Sequence, residues 1–364
     1  MKKVLFITNI PSPYRVDFFA FLQKNYPQYE FHILFSGAGM ENRKWSVGLA
    51  ELSNYTFLKS KTIIIRKRFD DRYVFMPVGV EKALDQIRPD VVFAMEYNPT
   101  ILRAVHWCRK KKIPFISWTD GTLNSEKNIG KVQRLSRAYI IKRAAAFVAS
   151  STASREAQIA YGADEKKCFI SYLTVDIDKY LCEKETYHGR QLLYVGSLIQ
   201  RKGLDLLLPA LAKTSDDIRL VIVGEGAEKE NLLHQARELG IKERIDFRGF
   251  VEGAPLRELY HTSDIFVLPT REDCFGLVIL EAMCASLPVI SSKYADGAFD
   301  LVEEGKNGYI IDPEDAGAFA KTIDDAFADE GQLARMGRYS YEKAHEFAFA
   351  EVAKGCIKAL EYTL

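Results

Sequence analysis

Acids gather around a glycine in TREDCFGLVILEAM, residues 270–283. Glu272 and Asp273 precede the pair Phe275-Gly276, and Glu281 follows inside an apolar run. Carboxylates accept hydrogen bonds from vicinal hydroxyls, the groups carried by a ribose or a hexose. Gly276 admits close approach of the backbone. The N–H groups after it open a helix and can meet a phosphate or sugar oxygen. The acids before the glycine read equally well as helix-start charge. Glu281 does not, because a lone acid inside LVILEAM is costly to bury without a partner.

A second stretch, VGSLIQRKG (195–203), leaves a strand and enters a helix. Gly196 gives a bare backbone. Arg201 and Lys202 sit at a helix entrance, where free N–H groups and the dipole favour anions. A guanidinium grips a diphosphate bidentately and an ammonium adds a point charge; an exposed basic helix start is the plainer alternative. VIVGEGAEKE (221–230) has Gly224 and Gly226, but Lys229 stands where a dinucleotide fingerprint has its third glycine, so a tight turn explains it as well. DFRGFV (246–251) ends a strand at Gly249, whose backbone can meet a flat base edge. No Walker A loop, H-E-x-x-H or C-x-x-C is present.

These residues need elements to hold them. KKVLFITN (2–9) is a nearly continuous, β-branched apolar run, the pattern of a strand buried on both faces. Its apolar core, Val4 to Ile7, is too short for a signal-peptide h-region. Strands at 31–36, 62–68, 90–97, 114–121, 145–151 and 168–173 follow. Helices at about 14–25, 75–87, 99–111, 129–143 and 152–160 separate them. The series restarts after the polar stretch 176–191, with strands at 192–197, 219–226, 245–251, 264–270 and 288–292. Apolar strands alternating with helices predict parallel sheets covered on both faces. Two series predict two doubly wound α/β domains, 1–176 and 190–345. Ligands of such sheets lie beyond the carboxyl ends of the strands, so a cleft between the domains is the expected site.

Length and composition agree with two globular domains: 364 residues, 48% hydrophobic, 27% charged. Six scattered cysteines point to a reducing compartment rather than a disulfide framework. The net charge of +1 hides an asymmetry. Residues 1–176 carry 28 Lys+Arg against 16 Asp+Glu, and residues 177–364 carry 22 against 33. Different partners for the two halves are the reading this invites.

Taken in order, VGSLIQRKG, LVIVGEG, IDFRGFV, SDIFVLPTREDCFGLVILEAM, LPVIS and VEEGKNGYIIDPED resemble the GT-B-fold retaining glycosyltransferases of family 4, the glycosyl transferases group 1. The resemblance runs through essentially the whole chain and is strongest over 192–312. It implies a GT-B architecture of two Rossmann-like domains facing a cleft, with a C-terminal helix at about 346–364 crossing back to the first. It also implies a UDP- or GDP-linked sugar donor on the second domain. Arg201 and Lys202 would hold the diphosphate, near Gly196. Glu281 would bind the ribose hydroxyls, and Gly249, Phe250 and Val251 would line the base. The backbone of Phe275, Gly276 and Leu277, with Asp273, would hold the sugar. Asp273 replaces the usual glutamate, which shortens its reach, and Ser197 stands where many relatives carry arginine. The first loop, NIPSPYR (9–15), lacks the usual glycines, leaving Arg15 for a phosphate contact or the loop for the acceptor. WTDG stands where relatives place a histidine. Asp120 is then the candidate group facing the transferred sugar, or an Asx cap before Gly121. Glu96 is a candidate acceptor contact.

The transfer so implied passes through an oxocarbenium-like state, with Arg201 and Lys202 stabilising the departing diphosphate and Asp120 orienting the sugar. No metal is expected, since basic groups replace a cation; Asp176-Ile-Asp178 spells a D-x-D but reads as linker acids. The basic first half includes 66–68, 109–112, Lys127, Lys131, Arg134, Arg137, Lys142 and Arg143, interleaved with Leu135, Tyr139, Ile140 and Ile141. Such a face suits anionic lipid headgroups, though a solvated helix explains it too. A cytoplasmic protein, peripheral on the inner face of the cell membrane, with a lipid-linked saccharide acceptor in envelope polysaccharide assembly, is the expectation; nucleic acid is not. An epimerase or phosphorylase of the same fold, or a non-catalytic nucleotide-sugar-binding scaffold, are the alternatives.

Overall fold

The computed structural model describes residues 1–39, 47–65, 72–184, 186–187 and 189–364. The basic run at 66–68 lies outside them. The described residues divide into two compact units, one drawn from 1–65, 72–176 and 349–364 and the other from 177–348.

The first unit begins with β1 (Lys2–Thr8), α1 (Pro13–Asn25), β2 (Tyr29–Phe35) and β3 (Tyr55–Phe57). Next come β4 (Lys59–Ile65), β5 (Arg72–Val78), α2 (Val80–Ile87), β6 (Val91–Met95) and α3 (Pro99–Lys111). It continues with β7 (Phe115–Thr119), α4 (Lys131–Ile141), β8 (Ala146–Ala149), α5 (Thr152–Ala160) and β9 (Cys168–Ile170). Seven strands form one parallel sheet in the order β3-β2-β1-β6-β7-β8-β9. Alternation within β1 explains its continuous apolar sequence. Val4 and Phe6 enter the core on one face, and Leu5 and Ile7 enter the core on the other.

Two expectations fail here. The apolar run near 62–68 does not join the parallel sheet. β4 pairs antiparallel with β5 as a separate ribbon, and Ile63, Ile64 and Ile65 are exposed. The helix expected from 75 starts at Val80, because 72–78 is the second ribbon strand and Gly79, at φ 77°, makes the turn into α2.

The second unit holds β10 (Gln191–Val195), α6 (Leu204–Leu211), β11 (Arg219–Val223), α7 (Lys229–Glu238), β12 (Ile245–Gly249) and α8 (Ala254–Thr262). Then follow β13 (Ile265–Leu268), α9 (Leu277–Cys284), β14 (Val289–Ser292), α10 (Ala298–Leu301), β15 (Gly308–Ile311), α11 (Ala316–Phe327) and α12 (Glu330–Ala344). Its six-stranded parallel sheet runs β12-β11-β10-β13-β14-β15. The last helix, α13 (Phe349–Thr363), belongs to the first unit, where it packs under β7, β8 and β9. The Ser171 hydroxyl donates to the Val352 carbonyl at 2.9 Å there. Both sheets reverse strand order once, between β1 and β6 and between β10 and β13. Such reversals open a crevice at the carboxyl ends of the strands. No helix among the described residues is long and apolar enough to cross a membrane.

Candidate active site

In the second unit the singled-out residues collect where β10 and β13 end. Gly224 has φ 142°, and a Cβ there would lie 1.9 Å from the Gly196 carbonyl oxygen. At Gly226 a Cβ would lie 2.2 Å from that of Leu198. The G-x-G pair therefore lets two strand-exit loops pack backbone to backbone, which is the tight-turn reading. Gly203, in the left-handed region at φ 69°, likewise brings the loop after β10 against Pro269 at the exit of β13.

That approach brings Arg201 and Lys202 to TREDCFG. Arg201 donates through Nη1 to the Glu272 carbonyl at 3.0 Å, and its own carbonyl accepts from the Arg271 N–H at 2.8 Å. Lys202 Nζ lies 2.5 Å from Asp273 Oδ2. The other oxygen of Asp273 accepts from the N–H groups of Gly276 at 3.0 Å and Phe275 at 3.2 Å. Burial opposes ionisation of Asp273, but Lys202, then Arg201, outweigh it and hold the carboxyl below the ordinary carboxylate range. Asp273 is thus both the counter-ion of Lys202 and the cap of the turn into α9. Glu272 meets the cluster through its backbone only, as its carbonyl accepts from Arg201 and the Thr270 hydroxyl. Arg271 braces the loop from outside with two bonds to Asp205 at 2.7 and 2.6 Å.

Gly276, at φ 81°, starts α9, and Glu281 sits one turn in. The acid has the partner its sequence context required. Tyr260 donates to Oε2 at 2.7 Å and Tyr180 adds a second hydrogen bond. Burial raises the Glu281 carboxyl to about 7, against the pull of the two phenols. Gly249, at φ 69°, ends β12, with its carbonyl on the Gly224 N–H at 2.8 Å; Phe250 beyond it is exposed and Val251 is half-buried.

In the first unit a second polar cluster sits at the ends of β6, β7 and β8. Arg15, buried on α1, donates to Asp120 Oδ1 at 2.5 Å and lies over the Trp118 ring at 5.0 Å. The Ser150 hydroxyl donates to the same carboxylate oxygen and accepts from the Trp118 indole N–H at 2.8 Å. Glu96 adopts φ 70°, unusual without glycine, and its Oε1 accepts the Asp120 N–H at 3.0 Å. Burial, then the neighbouring Asp120 charge, raise the Glu96 carboxyl to about 7. Asp120 is the hub of this cluster. Arg15 bonds its side chain through Nη2, and Glu96 bonds its backbone N–H through Oε1.

Arg137 departs furthest from expectation. The sequence places it on a basic surface, yet only 3% of it is exposed. Its guanidinium grips Glu126, with one bond at 2.6 Å, and lies over the Tyr97 ring at 4.7 Å. Ile140 and Ile141 are buried beside it in the core. The other basic residues of this segment, Lys127, Lys131, Arg134, Lys142 and Arg143, are exposed.

Two family models match in tandem: "Glycosyltransferase Family 4" over residues 27–179 and "Glycosyl transferases group 1" over residues 184–343. The chain belongs to the group 1 glycosyltransferases. Among curated relatives, an uncharacterised glycosyltransferase of Methanocaldococcus jannaschii is 33% identical over 39% of this chain and 37% of its own length. The lipopolysaccharide core biosynthesis glycosyltransferase LpsE of Rhizobium meliloti is 29% identical over 46% of each. The matches thus span half or less of those relatives. HepE of Anabaena, solved with UDP, has the same fold, with a TM-score of 0.80 and 18% identity over 99% of this chain and 100% of that one. A further HepE structure, with UDP-glucose, aligns with a TM-score of 0.77 and 19% identity over 99% of this chain and 100% of that one.

In this group 1 glycosyltransferase each unit thus gathers its own cluster. Arg201, Lys202, Asp273 and Gly276 meet directly, with Glu281 further along α9. Asp120, Arg15 and Glu96 meet at the end of the first sheet. Tyr260, Tyr180 and Ser150 join these clusters from outside the residues that the sequence singles out. Ser150 carries a signal, since it follows a buried strand at its carboxyl end. Tyr260 carries none, because a tyrosine on an amphipathic helix reads as core.

Proposed function

We propose that this protein is a retaining glycosyltransferase. It would move a sugar from a UDP- or GDP-linked donor to a saccharide acceptor, lipid-linked and destined for envelope polysaccharide or glycolipid. The observation that carries the reading is the convergence of Arg201 and Lys202 on Asp273 and the start of α9. A diphosphate brought to this corner exchanges Asp273 for phosphate oxygens as the partner of Lys202. The freed carboxylate then turns to the donor sugar. Arg201 and Lys202 stabilise the charge that builds on the leaving diphosphate, in the place of a metal cation. Glu281 clasps the ribose, and the Gly249–Val251 segment lies along the base. Asp120, fixed by Arg15, Ser150 and the Glu96 contact to its N–H, faces the transferred sugar. The acceptor hydroxyl passes its proton to the departing phosphate.

UDP and UDP-glucose in the HepE structures support a nucleotide-sugar donor. The pathway in LpsE's name supports an envelope acceptor. The exposed basic residues around α4 support an acceptor held at an anionic membrane. The test is release of nucleotide by the purified protein from UDP- and GDP-sugars. One base should be preferred, and Lys202→Ala should slow turnover about 100-fold. A protein that neither binds nor consumes any donor would overturn the reading.

A further inference from the structure

Glu281 is the one charged residue of α9. Tyr260 is fully buried on α8, and its ring meets Tyr180 edge to face, with centroids 6.2 Å apart. On its other side Tyr260 leans on Phe266 of β13, also at 6.2 Å. Both phenol donors are therefore aimed at the carboxyl by packing. A carboxylate that must accept from two vicinal hydroxyls has to keep its orientation and its charge. It has about four lone-pair sites, so two phenol hydrogen bonds leave sites for a diol. We propose that Tyr260 and Tyr180 are positioning residues for Glu281, fixing the rotamer and the charge of the carboxylate that takes the ribose diol. The inference rests on the ribose role given to Glu281 above.

The electrostatics agree. Burial works against the charge, and the two phenol hydrogen bonds work for it. Of the elements packed on α9, β13 and β14 are uncharged, and α12 buries only uncharged residues. The turn Ile177–Lys179 carries Asp178 and Lys179, α10 carries Asp300, and Cys284 follows Glu281 on the same helix. Ionisation of Glu281 is set by burial and the two phenols. Diol binding needs the carboxylate, so affinity should rise with pH through about 7 and binding should release a proton there. Losing a phenol removes a pull toward ionisation and moves that midpoint upward.

The test is calorimetry with UDP or GDP, whichever the wild-type protein binds more tightly, between pH 6 and 9. Tyr260→Phe should bind about tenfold more weakly at pH 7, recover at pH 9 and shift the pH midpoint up. Tyr180→Phe, at the less enclosed position, should do the same to a smaller extent. With the 2′-deoxynucleotide neither substitution should cost further affinity. Folded Tyr variants that keep the wild-type pH profile would overturn the positioning role while leaving the ribose role intact. Glu281→Gln that binds with wild-type affinity and pH profile would overturn both.

Discussion

At the scale of single residues, the two clusters hold acids under opposite constraints. Asp273 is driven to ionise by Lys202 and Arg201, whereas Glu281 and Glu96 are held back by burial. The sign for Glu281 follows directly. Its folded-state value, about 7, lies above the ordinary 4.5, so the folded protein binds the extra proton between those pH values. Stability then falls as pH rises through that window. Glu281→Gln removes the cost, so it should be more stable than wild type by about 1–3 kcal/mol at pH 8. The difference should fade below pH 5, as read from urea midpoints. Asp120 supports a different prediction. Its carboxylate accepts from Arg15 and Ser150 in the first unit, while Arg201 and Lys202, proposed to hold the diphosphate, lie in the second. Asp120→Ala should therefore lower sugar transfer about 100-fold and leave nucleotide affinity unchanged. Wild-type turnover in that variant would remove Asp120 from the mechanism.

At the scale of elements, α9 depends on one backbone angle. Gly276 sits at φ 81°, and a Cβ there would come 3.1 Å from Ile279 Cδ1 and 3.2 Å from Leu268 Cδ2. Those are side-chain ends that can give way, so most of the penalty is the left-handed backbone. Gly276→Ala should cost about 1–2 kcal/mol, measurable as a lowered Tm. The helix α4 is held by the buried Arg137–Glu126 pair. Glu126→Gln leaves that guanidinium without its counter-charge and should cost about 3–5 kcal/mol. The legibility of these elements follows their burial. Strands buried on both faces, such as β1, β6 and β13, show continuous apolar runs. β4 shows the same run in TIII but is exposed, so composition alone misassigns it. β5 was hidden because Pro77 and exposed Met76 interrupt its pattern. Glu281 was legible because an acid in an apolar helix needs a partner, yet nothing in the sequence identified that partner as Tyr260.

At the scale of the whole molecule, the two sheets follow the same order through six strands, and the two halves of the chain differ in charge. The first 176 residues hold the excess of Lys and Arg. Removing Arg137 from the basic face narrows that surface and also clarifies it. Around α4 the exposed side chains are Lys127, Lys131, Arg134, Lys142 and Arg143. Beside them stand Val132, 80% exposed, and Leu135, 70% exposed, which contribute apolar area that a solvated helix does not need. Apolar side chains rimmed by cations fit the boundary between headgroups and acyl chains. Each cation near an anionic surface is worth about 1 kcal/mol, screened within a Debye length. The protein should therefore sediment with vesicles containing phosphatidylglycerol, less so at high salt, and not with vesicles of phosphatidylcholine alone. The double substitution Val132→Asp, Leu135→Asp should abolish sedimentation while leaving nucleotide binding intact, since both residues lie in the first unit. Equal sedimentation with both vesicle types, or an unaffected double variant, would return α4 to the role of a solvated basic helix.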